Sequence, residues 1–401
     1  MQAANLQSNI WKAAITLIAN KRVFAAFLSA YYLTIPDTTA QTVGLIFLAG
    51  NLAGFLFEIP SGYISDKFGH KETLVLASIL MFVSSSFFLL ATDVAFLILG
   101  SAFMSIGQAF RSGTFSAFMH ETLRGLGKED QYTEIMGKVR SAGFGVPIAF
   151  AVLAPFLISI SYQAPFILSL VLDFVGIVAA VTLVKPTVTP EHVDEVNTKN
   201  FKQVVQEGYK LGYFKYAVFN SVLIAVLMGI SIYRAPYQEF LNIPVIWFGV
   251  LFGLGRLGVT IILYFSGRIK KSFKNITSFY RFQIILFTTI ILGLVSTTNP
   301  WMVGFFFIIM NAFTWGLSGI HNGFVMEVIG SSKFKATLLS IEEQAKTLLA
   351  GLSALLIGFW VEETSYQIAF FLIGILLILV LAPQYIYIKR SLRNDHTPKE
   401  Q

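Results

Sequence analysis

Runs of about 20 mostly apolar residues recur along the whole chain, and this pattern restricts the fold more than any other feature. A helix needs about 20 apolar residues to cross the hydrocarbon core of a bilayer. Of the 401 residues, 55% are hydrophobic and 13% are charged, whereas soluble domains carry about 25% charged residues. A soluble core stops growing at about 250–300 residues and could not bury so much apolar surface. The sequence therefore predicts an all-α membrane protein.

A polar segment over residues 185–213 divides the apolar runs into two groups of six. Equal halves joined in this way are typical of transporters built from internal repeats. We therefore predict twelve transmembrane helices in two bundles. The N-terminal six-helix bundle covers 1–184, a cytoplasmic linker covers 185–213, and the C-terminal six-helix bundle covers 214–401 with a short cytoplasmic tail. The predicted spans are roughly 22–38, 41–64, 72–91, 94–118, 140–160, 163–184, 214–235, 245–266, 278–298, 301–326, 338–360 and 366–388.

The positions of the basic residues indicate how the helices are oriented. The chain has 29 Lys and Arg, and all except Arg111, Arg234 and Arg256 lie near the termini or in every second loop. Cytoplasmic loops of membrane proteins are enriched in Lys and Arg. Both termini and the central segment are therefore expected in the cytoplasm. The same distribution explains the formal net charge of +7 without a nucleic-acid partner.

Ionisable residues inside the predicted spans are the first candidates for function, because a charge in the membrane is costly. Glu58 lies near the cytoplasmic end of span two, where it could carry protons or hold the helix in place. Arg111 lies in span four and Arg256 in span eight, and either could line a pathway or pair with another helix. Asp173 in span six is expected to pair within its own bundle.

Polar residues of spans seven and ten form a second set of candidates. Histidine is the side chain that most readily changes charge near neutral pH, and His321 could contact a substrate or a packing neighbour. Asn220 and Asn311 could hydrogen-bond polar groups of a substrate or join neighbouring helices. The sequence has no cysteine, no metal-binding cluster, no phosphate-binding loop and no arrangement of nucleophile and base. We therefore expect neither an enzyme nor a cofactor.

The loop between spans two and three carries a known motif. Its sequence GYISDKFGHK (Gly62–Lys71) resembles G-x-x-x-D-[RK]-x-G-[RK]-[RK], the signature of this loop in the major facilitator superfamily, with His70 where Arg or Lys is usual. The segments EIPSG, GQAFRSGTFSAFMHETL and FKATLLSIEEQ resemble a bacterial drug-efflux-like branch. The resemblance implies the major facilitator fold, with twelve helices in two six-helix bundles, present as a monomer in the bacterial inner membrane.

The resemblance also implies roles for particular residues. The loop would act as a conformational latch while the protein is open outward, through Gly62, Asp66, Lys67, Gly69, Lys71 and, at the start of span five, Arg140. Spans one, four, seven and ten would line a central cavity, with spans two, five, eight and eleven at its sides. The predicted substrate or proton pathway contains Glu58, Arg111, Arg256, His321, Asn220 and Asn311.

The function predicted on this basis is secondary active transport by alternating access. The resemblance favours proton-coupled efflux of a small organic or amphipathic compound, which is an antiport. Two arginines in a cavity would also suit a carboxylate or phosphate, so uptake or exchange of an anionic metabolite is an alternative. Lipid translocation is another alternative.

Overall fold

The structure, a computed structural model, describes residues 2–186, 201–329, 332 and 334–395. All regular elements in these ranges are helices, which confirms the all-α prediction. Ten helices in this part of the chain are long and apolar enough to cross a membrane. The side chains of Asp66 and Arg140, both assigned to the predicted latch, lie outside the described ones, as do residues 187–200 of the predicted linker.

The chain forms two compact units, which are described separately. The first contains Met1–Thr38, Leu45–Asp194 and Pro244–Gly253. The second contains Thr39–Gly44, Glu195–Ile243 and Leu254–Gln401. Many large apolar side chains remain exposed, including Ile160 at 78% and Leu379 at 66%. Such a surface is expected of helices whose solvent is lipid, because lipid tails are as apolar as the side chains themselves.

Seven α-helices of the described residues precede the polar segment. In the first unit α4 packs on both α5 and α7, and α1 packs on α6 and α7. A cluster of buried side chains that includes Ala13, Leu74 and Phe118 fills the space between these helices. The helices are α1 (Gln2–Ala19), α2 (Leu28–Tyr32), α3 (Ala40–Phe68), α4 (His70–Leu89), α5 (Val94–Gly125), α6 (Tyr132–Ile160) and α7 (Ala164–Val181), with 3₁₀ turns at Val23–Ala26 and Glu129–Gln131.

The continuous first span predicted over residues 22–38 is wrong. The helix α1 ends at Ala19, and a 3₁₀ turn and the five-residue α2 follow it. Arg22 has an extended backbone, with φ −82° and ψ 118°. Its side chain is buried and binds Asp173. The helix therefore ends just before the residue that makes the buried ion pair, and the helical residues lie earlier than the apolar run suggests.

Gly69 separates α3 from α4 and has a φ of +105°, a conformation that residues with a Cβ rarely adopt. Glycine therefore suits the turn between the two helices. Gly62 instead lies inside α3, and an added Cβ would meet no described atom within 4 Å.

In the part of the chain that the structure describes, ten α-helices follow the polar segment. In the second unit α9 packs along α16, and α13 packs along α17. Gly229 permits the first contact, since a Cβ there would lie 2.9 Å from the Cβ of Ser353 and 3.1 Å from the Ala354 nitrogen. The helices are α8 (Phe201–Lys210), α9 (Phe214–Ile232), α10 (Arg234–Phe240), α11 (Ile246–Tyr264), α12 (Ser266–Lys271), α13 (Ile276–Val295), α14 (Pro300–Gly316), α15 (Ser318–Ile329), α16 (Lys335–Glu363) and α17 (Tyr366–Asp395).

Candidate functional site

The Glu342 carboxylate lies at the centre of a buried polar cluster in the second unit. Glu342 lies on α16 and is 2% exposed. Its Oε1 accepts hydrogen bonds from Asn220 Nδ2 at 2.7 Å and from His321 Nε2 at 3.0 Å. Its Oε2 accepts one from Tyr213 Oη at 2.9 Å. One carboxylate thus joins the start of α9 to α15 and α16.

Lys346 lies one turn further along α16 and adds a positive charge to this cluster. Its Nζ lies 3.1 Å from Glu342 Oε1 and 2.7 Å from Glu343 Oε1. Lys346 is 9% exposed, whereas the Glu343 side chain is 71% exposed. With both carboxylates ionised and the imidazole neutral, the group carries one negative charge in excess. One added proton would make it neutral.

His321 is placed to hold that proton, because both of its ring nitrogens have a polar neighbour. Nε2 faces Glu342, and Nδ1 lies 3.3 Å from Tyr280 Oη. In the neutral ring Nε2–H donates to the carboxylate, and Nδ1 accepts from the tyrosine hydroxyl. In the charged ring Nδ1–H donates to Tyr280 Oη, whose proton can turn to the Tyr216 carbonyl oxygen at 3.4 Å. Both protonation states of His321 are therefore hydrogen-bonded.

Tyr213 closes the cluster at the start of α9. Its hydroxyl lies 3.0 Å from the Leu338 carbonyl oxygen as well as near Glu342. Burial, and then the neighbouring Glu342 charge, raises the pKa of the Tyr213 phenol. Tyr213 therefore stays neutral and keeps its proton as a hydrogen-bond donor to the carboxylate.

Sequence reasoning found two residues of this cluster, His321 and Asn220, and missed Glu342, Lys346 and the tyrosines. In the sequence, Lys346 was grouped with the basic residues of alternate loops, and Glu342 appeared only within the segment FKATLLSIEEQ that resembles a family. A usable signal was present: Glu342 and Lys346 are four residues apart within a predicted span, so both side chains lie on one helix face. The two other predicted pathway residues of the second unit, Asn311 and Arg256, make none of the contacts described for Glu342.

Asn311 and Arg256 lie elsewhere in the second unit. Asn311 on α14 faces Gly255 of α11, where an added Cβ would come within 3.2 Å of the asparagine Cβ. The Asn311 Oδ1 is buried and has no hydrogen-bond partner among the described atoms. Arg256, the next residue on α11, is half-buried and lies within electrostatic range of the buried Arg234 on α10.

A second charged cluster occupies the interior of the first unit. Arg22 Nη1 lies 2.7 Å from both carboxylate oxygens of Asp173, and Ser85 Oγ donates to Asp173 Oδ2 at 2.6 Å. The Asp173 and Arg22 side chains are 0% and 7% exposed. Asp173 therefore pairs within its own unit, as expected. Arg111 on α5 lies within electrostatic range of both residues, and its buried Nη1 has no hydrogen-bond partner among the described atoms.

Glu58, a predicted pathway residue, and His70 of the loop motif border a cavity of about 200 Å³ in the first unit. Ser112 Oγ donates to Glu58 Oε1 at 3.0 Å. His70 Nδ1 lies 2.7 Å from Ser65 Oγ, and its Nε2 lies 3.2 Å from Glu121 Oε1. The histidine thus ties the start of α4 to α3 and α5, although an Arg or Lys is usual at this position of the motif.

The lysines of the motif lie at the surface or close to it. Lys67 is exposed, and its Nζ lies 5.7 Å from the ring centroid of Tyr63 and 5.4 Å from that of Phe68. Lys71 is half-buried in the first turn of α4. Gly62 lines the cavity described above. The contacts that would make these residues a latch involve Asp66 and Arg140, whose side chains are outside the described ones.

Comparison with known proteins gives the family. The family model of the Major Facilitator Superfamily matches residues 10–341. The chain belongs to this superfamily. Two long helical units rich in apolar spans agree with that assignment, and twelve helices are consistent with its fold. The protein is a multi-pass membrane protein, as the apolar runs predicted.

Individual relatives are distant. The chain is 23% identical over 256 residues to the uncharacterized MFS-type transporter YxaM of Bacillus subtilis, an alignment that covers 61% of this chain and 62% of YxaM. The chain thus spans about three fifths of that relative. Two solved structures share the fold. The nucleoside transporter NupG has a TM-score of 0.76 at 11% identity, with 96% of this chain and 98% of NupG covered.

The second solved structure is a bacterial homologue of the human lysosomal transporter Spinster, in an inward-facing and unoccupied conformation. It has a TM-score of 0.73 at 13% identity, and 98% of each chain is covered. Identities this low show the fold alone. The drug-efflux-like branch suggested by three sequence segments therefore finds no support in these relatives.

Proposed function

We propose that this protein is a proton-coupled secondary transporter and that the Glu342–His321–Lys346 cluster is its proton-binding site. The observation that carries the proposal is the buried carboxylate of Glu342, bound to an imidazole whose second nitrogen has a partner in either protonation state. Ionisable residues inside membrane spans are expensive and are commonly retained for ion or proton pathways.

The cluster offers a way to couple a proton to a conformational change. Asn220 on α9, His321 on α15 and Lys346 on α16 all contact the same oxygen, Glu342 Oε1. A proton taken up by His321 would strengthen its attraction to Glu342 Oε1, the same oxygen that Lys346 and Asn220 contact. The relative stability of two arrangements of α9, α15 and α16 would then depend on protonation, which alternating access requires.

The proposal is tested with the protein reconstituted in liposomes under an imposed pH gradient, with Glu342→Gln compared with Glu343→Gln. Both variants remove one carboxylate that contacts Lys346, but Glu343 is exposed and lies outside the buried cluster. The probes are radiolabelled uridine, succinate and ethidium, which represent a nucleoside, an organic anion and a cationic amphipathic compound. Uridine is included because NupG is a nucleoside transporter.

Glu342→Gln is expected to abolish accumulation driven by the pH gradient and to keep exchange of labelled for unlabelled probe. Glu343→Gln is expected to keep both activities. Gradient-driven accumulation by Glu342→Gln at the wild-type rate would refute the proton site. Equal loss in both variants would show that general charge near Lys346 matters and not the buried carboxylate.

We propose export as the direction of transport, with both termini on the cytoplasmic side of a bacterial inner membrane. The resemblance of three sequence segments to exporters motivates the direction, and the excess of Lys and Arg in alternate loops motivates the orientation. Vesicles sorted by orientation test both. Export predicts that a probe on the cytoplasmic side exchanges for protons from the opposite side. The proposed orientation predicts that protease added on the cytoplasmic side cleaves the tail after Lys389.

The loop from Gly62 to Lys71 is proposed to set the balance between outward-open and inward-open states, with Asp66, Lys67, Gly69, Lys71 and Arg140. Its support is the match to the superfamily motif at the corresponding loop. Asp66→Asn is expected to change both transport rate and the labelling of a single introduced cysteine, which the cysteine-free chain permits. Asp93→Asn, at the N-cap of α5, is the control because asparagine caps as well as aspartate. Unchanged labelling in Asp66→Asn would remove the latch.

An anionic substrate is the second candidate, supported by the charges around Arg111. The two positive charges of Arg22 and Arg111 outnumber the single negative charge of Asp173. The buried Arg111 Nη1 has no hydrogen-bond partner among the described atoms. An arginine with a free donor suits a carboxylate or phosphate. This candidate predicts that Arg111→Gln raises the KM for succinate at least tenfold while leaving that for ethidium unchanged. An equal change for both probes would indicate a structural role.

A further inference from the structure

A cavity of about 720 Å³ in the second unit is separate from the Glu342 cluster and has no role in the proposed transport. We propose that it binds a phosphate ester, in the form of the headgroup of an anionic phospholipid. The residues that would contact the phosphate are Lys274 and Lys389. The volume is within the range of about 300–1,000 Å³ found for small-molecule sites.

The cavity lies where four helices reach one membrane surface. Tyr216 is in the first turn of α9, and Ile276 begins α13. Val328 lies at the end of α15, and Leu392 is the last residue of the apolar span in α17. Helix ends of this kind stand at the depth of lipid headgroups, and basic pockets between such ends can bind anionic headgroups.

The charges around the cavity are unevenly distributed. Glu327 is the one carboxylate in the described lining, and it pairs with Lys270, which also donates to the Gly323 carbonyl oxygen. Lys274 and Lys389 come from different elements, and neither has an ion-pair or hydrogen-bond partner among the described residues. The lining therefore presents two uncompensated ammonium groups, which are common ligands for phosphate.

The rest of the lining suits the uncharged part of a lipid headgroup. The hydroxyl of Thr277 and the amide of Asn275 are polar groups that could bind glycerol oxygens. Tyr216, Phe324 and Leu392 supply apolar surface beside them. A soluble phosphate ester would use the same lysines but would gain nothing from the neighbouring acyl chains, so lipid is favoured over a free phosphate ester.

The test measures binding to the purified full-length protein in detergent by microscale thermophoresis. The ligands are short-chain phosphatidylglycerol, phosphatidylcholine of equal chain length and glycerol 3-phosphate. The variant Lys274→Gln/Lys389→Gln removes both proposed ligands. The variant Lys271→Gln/Arg390→Gln is the matched control, because Lys271 ends α12, Arg390 follows Lys389 on α17, and neither residue lines the cavity.

Each lysine near an anionic lipid contributes about fivefold to affinity, so loss of both should weaken phosphatidylglycerol binding about 25-fold. The control should bind phosphatidylglycerol within about twofold of wild type. The variant Lys274→Arg/Lys389→Arg keeps both positive charges and should also bind it, which shows that the glutamine variant loses affinity through lost charge. If glycerol 3-phosphate binds with the same dependence on the two lysines, the cavity recognises the phosphate ester itself and can also take it from a soluble molecule. Equal binding of phosphatidylglycerol by both glutamine variants, or equal binding of the two lipids, would overturn the proposal.

Discussion

The buried pair of Arg22 and Asp173 leads to a quantitative prediction about stability. Removing one partner of a buried ion pair costs about 3–5 kcal/mol, because the other charge is left without compensation. Asp173→Asn should fall at the upper end of this range. It leaves two positive charges, Arg22 and Arg111, in a region where Asp173 is their shared counter-ion. A cost of about 4–5 kcal/mol lowers the folded-to-unfolded ratio by roughly a thousandfold or more.

The structure also predicts the order of the single variants. Arg22→Met should cost less than Asp173→Asn, because Arg111 remains to offset the Asp173 charge. The control is Glu134→Gln, which breaks an ion pair of similar length: Lys138 Nζ lies 2.6 Å from Glu134 Oε1, but the two side chains are 74% and 66% exposed. Lys138 holds the pKa of Glu134 below its usual range. Exposed pairs contribute little, so no measurable change is expected there.

The assay is chemical unfolding of the purified protein in mixed micelles, followed by tryptophan fluorescence, with the free energy of unfolding compared between variants. The reasoning fails if Asp173→Asn costs less than about 1 kcal/mol, a value typical of an exposed pair. It also fails if Arg22→Met costs more than Asp173→Asn, because Arg111 would then not share the aspartate charge.

Three further predictions follow from local geometry. Gly229→Ala should cost about 1–3 kcal/mol of unfolding free energy, because the added Cβ would press on α16. Gly62→Ala is the control: its added Cβ would meet no described atom, so it should cost less than about 0.5 kcal/mol in the same assay. Gly69→Ala should cost about 1–3 kcal/mol, because a φ of +105° with a ψ of 146° is nearly confined to glycine, and an unchanged unfolding midpoint would contradict this. Tyr280→Phe removes the hydroxyl beside His321 Nδ1, so proton-driven uptake of probe at neutral pH should fall at least fivefold while exchange continues; equal loss of both would point to misfolding.

Much of the fold could be predicted because its cause is local. An apolar run of about 20 residues must be helical in a bilayer, since every backbone polar group has to be satisfied within the segment. The loop motif was equally local, and the match over residues 10–341 confirms the superfamily. The first span is the exception: the side chain of Arg22 turns inward to Asp173, which is 151 residues away, and no window of sequence contains both residues.

The candidate site could be predicted only in part, for the same reason. His321 and Asn220 stood out as polar residues in apolar spans, and their roles remained open between substrate contact, packing and helix contact. Their shared partner Glu342 is 21 residues from His321 and 122 residues from Asn220. Its neighbour Lys346 looked like a loop charge until burial on α16 was known.

By itself, the sequence determined that this chain is a membrane protein made of helices and that it belongs to a transporter superfamily, because hydrophobic length and a short motif are properties of contiguous residues. The tertiary structure decided which charges face one another. It placed Arg22 against Asp173, His321 and Lys346 against Glu342, and two uncompensated lysines around a cavity. The energy of a charge depends on burial and on neighbours distant along the chain, and those are known only once the helices are packed.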